Sequence, residues 1–152
     1  MLDELDLVLR TELPVTQHLG IAPHSYREGR LLLRAPLHGN FNHQGHAFAG
    51  SLNAIATLAG WGWVWLLLRE RQLDGHVVIQ DSSIRYLRPV ASDFQAECPS
   101  PAAELIDRLL EALRRRRRGR LPLVVTVSDH SGPAVEFVGR YVVHLTSPAG
   151  AD

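Results

Sequence analysis

The sequence predicts an α+β fold: a curved antiparallel sheet wrapped around one long buried helix, with an extra surface helix. Three observations predict it. From Ala49 to Gln72 the pattern is helical and apolar on every side until Arg69, and a helix without a polar face must be enclosed. The segments around it read almost entirely as strands. Their order is strand-strand-helix-strand-strand-helix-strand-strand, which suits one helix gripped by one sheet.

Leu2, Leu5, Leu9 and Leu13 recur three and four residues apart, so residues 2–12 read as a short amphipathic helix that Pro14 ends. Leu19–Arg27 and Arg30–Leu37 read as strands joined by a tight turn at Glu28-Gly29. Residues 38–51, rich in Gly, Asn and His, read as a loop. Asp74-Gly75 closes the long helix. His76–Pro89 and Asp93–Cys98 read as strands around a turn at Val90–Ser92. Pro101–Arg118 opens on a proline and carries Leu105, Leu109, Leu110 and Leu113, the pattern of a surface helix. Leu121–Ser128 and Ala134–Thr146 read as the last strands, with Asp129–Pro133 as their turn, and Ser147–Asp152 reads as a loose tail. This order resembles the hot-dog fold, which implies two sheets joined edge to edge in a homodimer, or a dimer of such dimers.

The 152 residues fit one domain over 1–152, and 45% of them are apolar. Cys98 is the only cysteine, so no disulfide framework exists within the chain. A formal net charge of zero argues against a nucleic-acid partner. The acidic, amphipathic N-terminus does not read as a secretory signal. The uncharged run Ala54–Leu68 falls short of the ~20 residues a membrane span needs. The expected setting is cytoplasmic, away from membranes.

The segment Asn42 to Asn53 carries the strongest chemical signal. A polar, glycine-containing loop runs straight into the start of the buried helix. A helix start leaves backbone N–H groups without partners, and the peptide dipoles favour negative charge there. Small residues at Ala49, Gly50 and Ser51 allow a substrate carbonyl close to the backbone, so the amides of Ala49 and Gly50 suit an oxyanion hole. Gly50, Asn53 and Thr57 share one helix face. The same small residues serve equally for close packing, and Thr57 for a bond one turn back along the helix.

The stretch NHQGHAFAGSL, the AGWG that follows and DSSIRYLRPV resemble the thioesterase-like domain of the YiiD carboxy-terminal type, over roughly Pro14 to Leu145. The segment is also similar to phenylacetate-type hot-dog acyl-CoA thioesterases, whose Asn-x-x-Gly-Thr-x-His-Gly-Gly places its Asn on Asn42, its first Gly on Gly45 and its Gly-Gly on Ala49-Gly50. The resemblance implies a small-molecule acyl thioester as substrate, with coenzyme A as part of that substrate and no separate cofactor. It implies catalytic roles for Asn42, Ala49, Gly50 and Thr57, with Asp81 as a possible carboxylate from either subunit. His43, His46, Phe48, Ser51, Asn53 and Ser83 are the expected substrate-binding residues.

Two departures stand out. Phe48 replaces the pattern's His, and Thr57 stands where relatives carry Asp or Glu. A threonine hydroxyl does not accept a proton at neutral pH as a carboxylate does. The strand holding Asp81 mixes apolar and polar residues on both faces, so its direction stays open, and a surface position is the alternative. His43 and His46 supply two metal ligands where zinc needs at least a third, so no metal is expected. Gly50-Ser51 lacks the serine-hydrolase elbow. Arg114–Arg118 with Arg120 suits either solvent or coenzyme A phosphates, and Trp61, Trp63 and Trp65 read as core filling. The expected function is thioester hydrolysis. The alternatives are a non-catalytic acyl or acyl-CoA binding module and a hot-dog dehydratase.

Overall fold

A computed structural model describes residues 1–146, so the tail Ser147–Asp152 lies outside the described residues. The chain runs α1 (Leu2–Glu12), α2 (Val15–Leu19), β1 (Ala22–Arg27), β2 (Arg30–Ala35), α3 (Ala49–Glu70), β3 (Gly75–Tyr86), β4 (Phe94–Cys98), α4 (Ala103–Arg116), β5 (Arg118–Asp129) and β6 (Gly132–Leu145). The strands form one antiparallel sheet in the order β1-β2-β4-β5-β6-β3. α3 lies in its concave side, packed by the fully buried Leu31, Leu33, Leu121, Leu123, Phe137 and Tyr141. This is the hot-dog arrangement expected from the element order.

Two bare positions let α3 sit this close. A Cβ at Gly60 would lie 2.5 Å from Tyr141 Cζ, and one at Gly62 would lie 3.0 Å from Leu31 Cδ2. The Tyr141 hydroxyl donates to the Thr57 carbonyl at 2.7 Å, and its burial raises the phenol's pKa. The indoles are satisfied in the same way. Trp63 Nε1 donates to the Gly29 carbonyl at 2.7 Å and Trp61 Nε1 to the Val77 carbonyl at 3.0 Å. Trp63 and Trp65 are buried as core filling, whereas Trp61 is only half-buried. By length and composition α3 could cross a membrane, but most of it is buried in protein.

The sequence reading needs four corrections. No strand begins at Leu19: Val15–Leu19 is a one-turn helix, opened after Pro14 and stopped by Gly20 at φ 65°. β3 ends at Tyr86 rather than Pro89, because proline cannot donate to the ladder. α4 ends at Arg116 with Arg117 left-handed at φ 56°, and β5 starts at once at Arg118. The β5–β6 turn is His130-Ser131, with Asp129 and Gly132 already paired.

A bulge in β3 decides which residues meet α3. Ile79 pairs with Tyr141 and Asp81 with Arg140, leaving Gln80 as the extra residue. Before the bulge the odd residues Val77 and Ile79 pack on the core. After it the even ones do: Ile84 packs on the core and Tyr86 reaches α3. Asp81 and Ser83 consequently stand on the outer face, opposite the exposed Arg140 and Val138.

Candidate active site

The leading end of α3 is held by backbone bonds. Ala47 N–H donates to the Val90 carbonyl at 2.8 Å and Phe48 N–H to the Asn40 carbonyl at 2.7 Å. The N-cap Phe48 offers no side-chain oxygen, and Ser51 and Leu52 N–H both turn back to the Phe48 carbonyl at 3.0 and 3.1 Å. Ala49 and Gly50 N–H are left without an acceptor among the described residues. They carry the positive end of a helix 22 residues long. The tip opens on a cleft of about 390 Å³ lined by Asn42, Gln44, His46, Ala47, Ala49, Leu52 and Tyr86–Val90.

Asn42 shapes the loop rather than presenting its oxygen to a ligand. Its Oδ1 accepts the N–H groups of Gln44 at 2.9 Å and His46 at 3.2 Å, which leaves the Nδ2 amide to face a guest. His46 lines the cleft; His43 is exposed and does not. The Phe48 ring lies over Gly50, where a Cβ would stand 3.0 Å from its Cδ1, so this glycine is needed for the close approach. Ser51 is buried. The Thr57 hydroxyl donates to Asn53 Oδ1 at 3.2 Å, one turn back but to a side chain rather than a carbonyl. Asn53 and Thr57 are half-buried on a helix face that also holds Ala54, Leu58 and Trp61.

Asp81 and Ser83 are not brought to this cleft. Asp81 pairs with Arg140 at 2.8 Å on the outer face, with both side chains about half exposed. Among the described residues no carboxylate lines the cleft. The arginine run is also remote: Arg118 pairs with His144 while Tyr86 pairs with Val135, roughly 30 Å apart at the usual rise per strand residue. Arg114 and Arg115 are engaged with Glu111. Burial pushes the Cys98 thiol up to about 12, so it is no nucleophile. Among the described residues no group of three or more His, Cys, Asp or Glu is placed to hold a metal.

Two features of the site were not singled out from sequence. Tyr86 Oη donates to the Ala49 carbonyl at 3.1 Å, bracing β3 against the first turn of α3. The cleft wall Leu87–Val90 is pinned from behind by Asp129, whose carboxylate accepts Arg88 at 2.6 Å together with the N–H groups of Ala91 and Ser131. Arg88 also donates to the carbonyls of Pro133 and Gly132. The DSSIRYLRP stretch held the signal for the second alone, because an arginine between two turns needs an acceptor. The Arg88 guanidinium, aided by the two backbone N–H groups, holds the Asp129 carboxyl down at about 2 against burial. A carboxyl depressed in the folded state contributes stability above its unfolded pKa and loses it as pH falls through the folded one. Asp129 is therefore expected to contribute about 2 kcal/mol that disappears between pH 4 and pH 2. Chemical denaturation across that range checks this. In Asp129→Asn the step should be absent.

Comparison with known proteins defines the class. The family model described as "Putative thioesterase (yiiD_Cterm)" matches residues 2–145, and the chain belongs to this family. A "putative thioesterase" from Shewanella oneidensis is similar at 35% identity and TM-score 0.86, covering 94% of this chain and 96% of that one. A protein of unknown function from Chlorobaculum tepidum is similar at 27% identity and TM-score 0.90, covering 95% and 94%. A thioesterase from Haemophilus influenzae shares the fold at 18% identity and TM-score 0.76, covering 99% and 95%.

Proposed function

We propose that this chain hydrolyses an acyl thioester at the tip of α3. The observation that carries the reading is the pair of acceptor-free N–H groups at Ala49 and Gly50, beside a cleft that Ala49 lines, in a chain of a thioesterase family. The thioester carbonyl oxygen accepts from both amides, which hold the negative charge that develops as water adds to the carbonyl carbon. The Asn42 Nδ2 amide orients the water or the thioester. His46 takes the water's proton, because it is the one imidazole among the cleft residues and an imidazole is suited to proton transfer near neutrality. The C–S bond then breaks, and the leaving thiolate of coenzyme A recovers that proton from the imidazolium. No separate cofactor takes part.

The acyl chain does not run between α3 and the sheet, where Gly60 and Tyr141 leave no room. It follows the half-buried face of Asn53, Ala54, Thr57, Leu58 and Trp61, and we propose that a second copy covers that face by joining along the free edge of β3. Equilibrium sedimentation should then give twice the chain mass at micromolar concentration. A monomer there would remove the cover and the dimer with it.

A binding module is the second reading, favoured by the absence of any carboxylate from the cleft among the described residues. Steady-state assay of acyl-CoAs from acetyl to palmitoyl, with phenylacetyl, separates the two. Hydrolysis predicts turnover above buffer on at least one member, falling about 10²–10⁴-fold in His46→Gln. Calorimetric binding without product selects the module, and neither binding nor product overturns both.

A further inference from the structure

We infer that Tyr86 is a positioning residue for the α3 tip: its hydroxyl, by donating to the Ala49 carbonyl, polarises the Ala49–Gly50 peptide and strengthens the Gly50 N–H offered to the substrate oxygen. The inference rests on the helix-tip site proposed above. Tyr86 Oη lies 3.1 Å from the Ala49 oxygen. That oxygen and the Gly50 N–H belong to one resonant peptide unit. Electron density drawn toward the carbonyl oxygen leaves the N–H more positive, the mutual polarisation by which linked hydrogen bonds strengthen one another.

The geometry separates donor from guest. In a trans peptide the C=O and N–H point to opposite sides, so Tyr86 holds the carbonyl from one side while the Gly50 N–H stays free on the other. Burial raises the phenol's pKa, which keeps the hydroxyl a proton donor throughout the neutral range. The bulge at Gln80 is what turns Tyr86 toward α3, because without it the even residues of β3 would continue on the outer face. Tyr86 lines the cleft together with Ala49, whose carbonyl it holds.

The test is Tyr86→Phe, followed by NMR of the Gly50 amide and by turnover on the acyl-CoA of the panel that wild type hydrolyses fastest. Loss of the hydroxyl should move the Gly50 nitrogen upfield more than its neighbours. It should also lower kcat about three- to tenfold, the worth of one neutral hydrogen bond, with KM held within about twofold because ground-state binding is spared. A merely structural brace would leave the Gly50 shift where it was. 3-Fluorotyrosine at position 86, a stronger donor of nearly the same size, should move the Gly50 shift the opposite way and covers the case in which the phenylalanine variant fails to fold. An unmoved Gly50 signal in both variants, or full kcat without the hydroxyl, overturns the inference. If wild type turns over no acyl-CoA the hydrolase reading falls, and the Gly50 shift alone still decides the polarisation.

Discussion

Ala49→Pro is expected to keep the protein folded while turnover drops about 10²–10³-fold, the usual cost of removing one oxyanion donor. Ala49 is the first residue of α3, and its N–H has no acceptor among the described residues. A proline there removes no intrahelical bond, and its fixed φ suits the first helical position. Phe48 stands at φ −64° and ψ 135°, the extended conformation that a residue before proline adopts. Restricting the unfolded chain at a compatible site adds about 0.4–1 kcal/mol, so the melting temperature should hold or rise slightly. Few substitutions delete a backbone donor this cleanly. Thermal unfolding and kcat/KM on the same preparation check it. A stable proline variant with wild-type turnover would mean that the reacting carbonyl sits elsewhere.

Gly60→Val is expected to cost stability heavily, by about 3 kcal/mol or more. A Cβ at this position would lie 2.5 Å from Tyr141 Cζ and 2.6 Å from Cε2, and that ring is fully buried with its hydroxyl fixed on the Thr57 carbonyl. The ring has no free space to retreat into, so either α3 lifts off β6 or the Tyr141 hydrogen bond breaks. The gain in helix propensity over glycine, less than about 1 kcal/mol, is too small to offset this. Urea denaturation measures the loss. A valine variant as stable as wild type would show that the helix-to-sheet spacing adapts.

The parts of this fold that rest on repeated local pattern were readable from the residues. α3 was recognisable because an all-apolar helical run admits only burial, and the acceptor-free amides of Ala49 and Gly50 follow from the lack of a capping side chain at Phe48. The hairpin at Glu28-Gly29 carries its own turn chemistry, with both residues at positive φ. α2 was missed although Pro14 and Gly20 bracket it, because five residues give no periodicity to count. The direction of Asp81 could not be read, since a bulge depends on how a partner strand is aligned and not on the residues inside the strand. The bond from Tyr86 to Ala49 joins residues 37 apart and has no local trace.

The odd residue in β3 has a genetic consequence. Losing Gln80 alone would remove the bulge yet keep Ile79 opposite Tyr141 and Asp81 opposite Arg140, so Asp81 and Ser83 would stay outside and Tyr86 would stay against the helix. One codon can thus be lost here with the phenol kept beside the same amides. An acid reaches them instead by substitution of an inward residue, Tyr86→Asp for one, so within this architecture a change of chemistry is reached by changing side chains and not strand length.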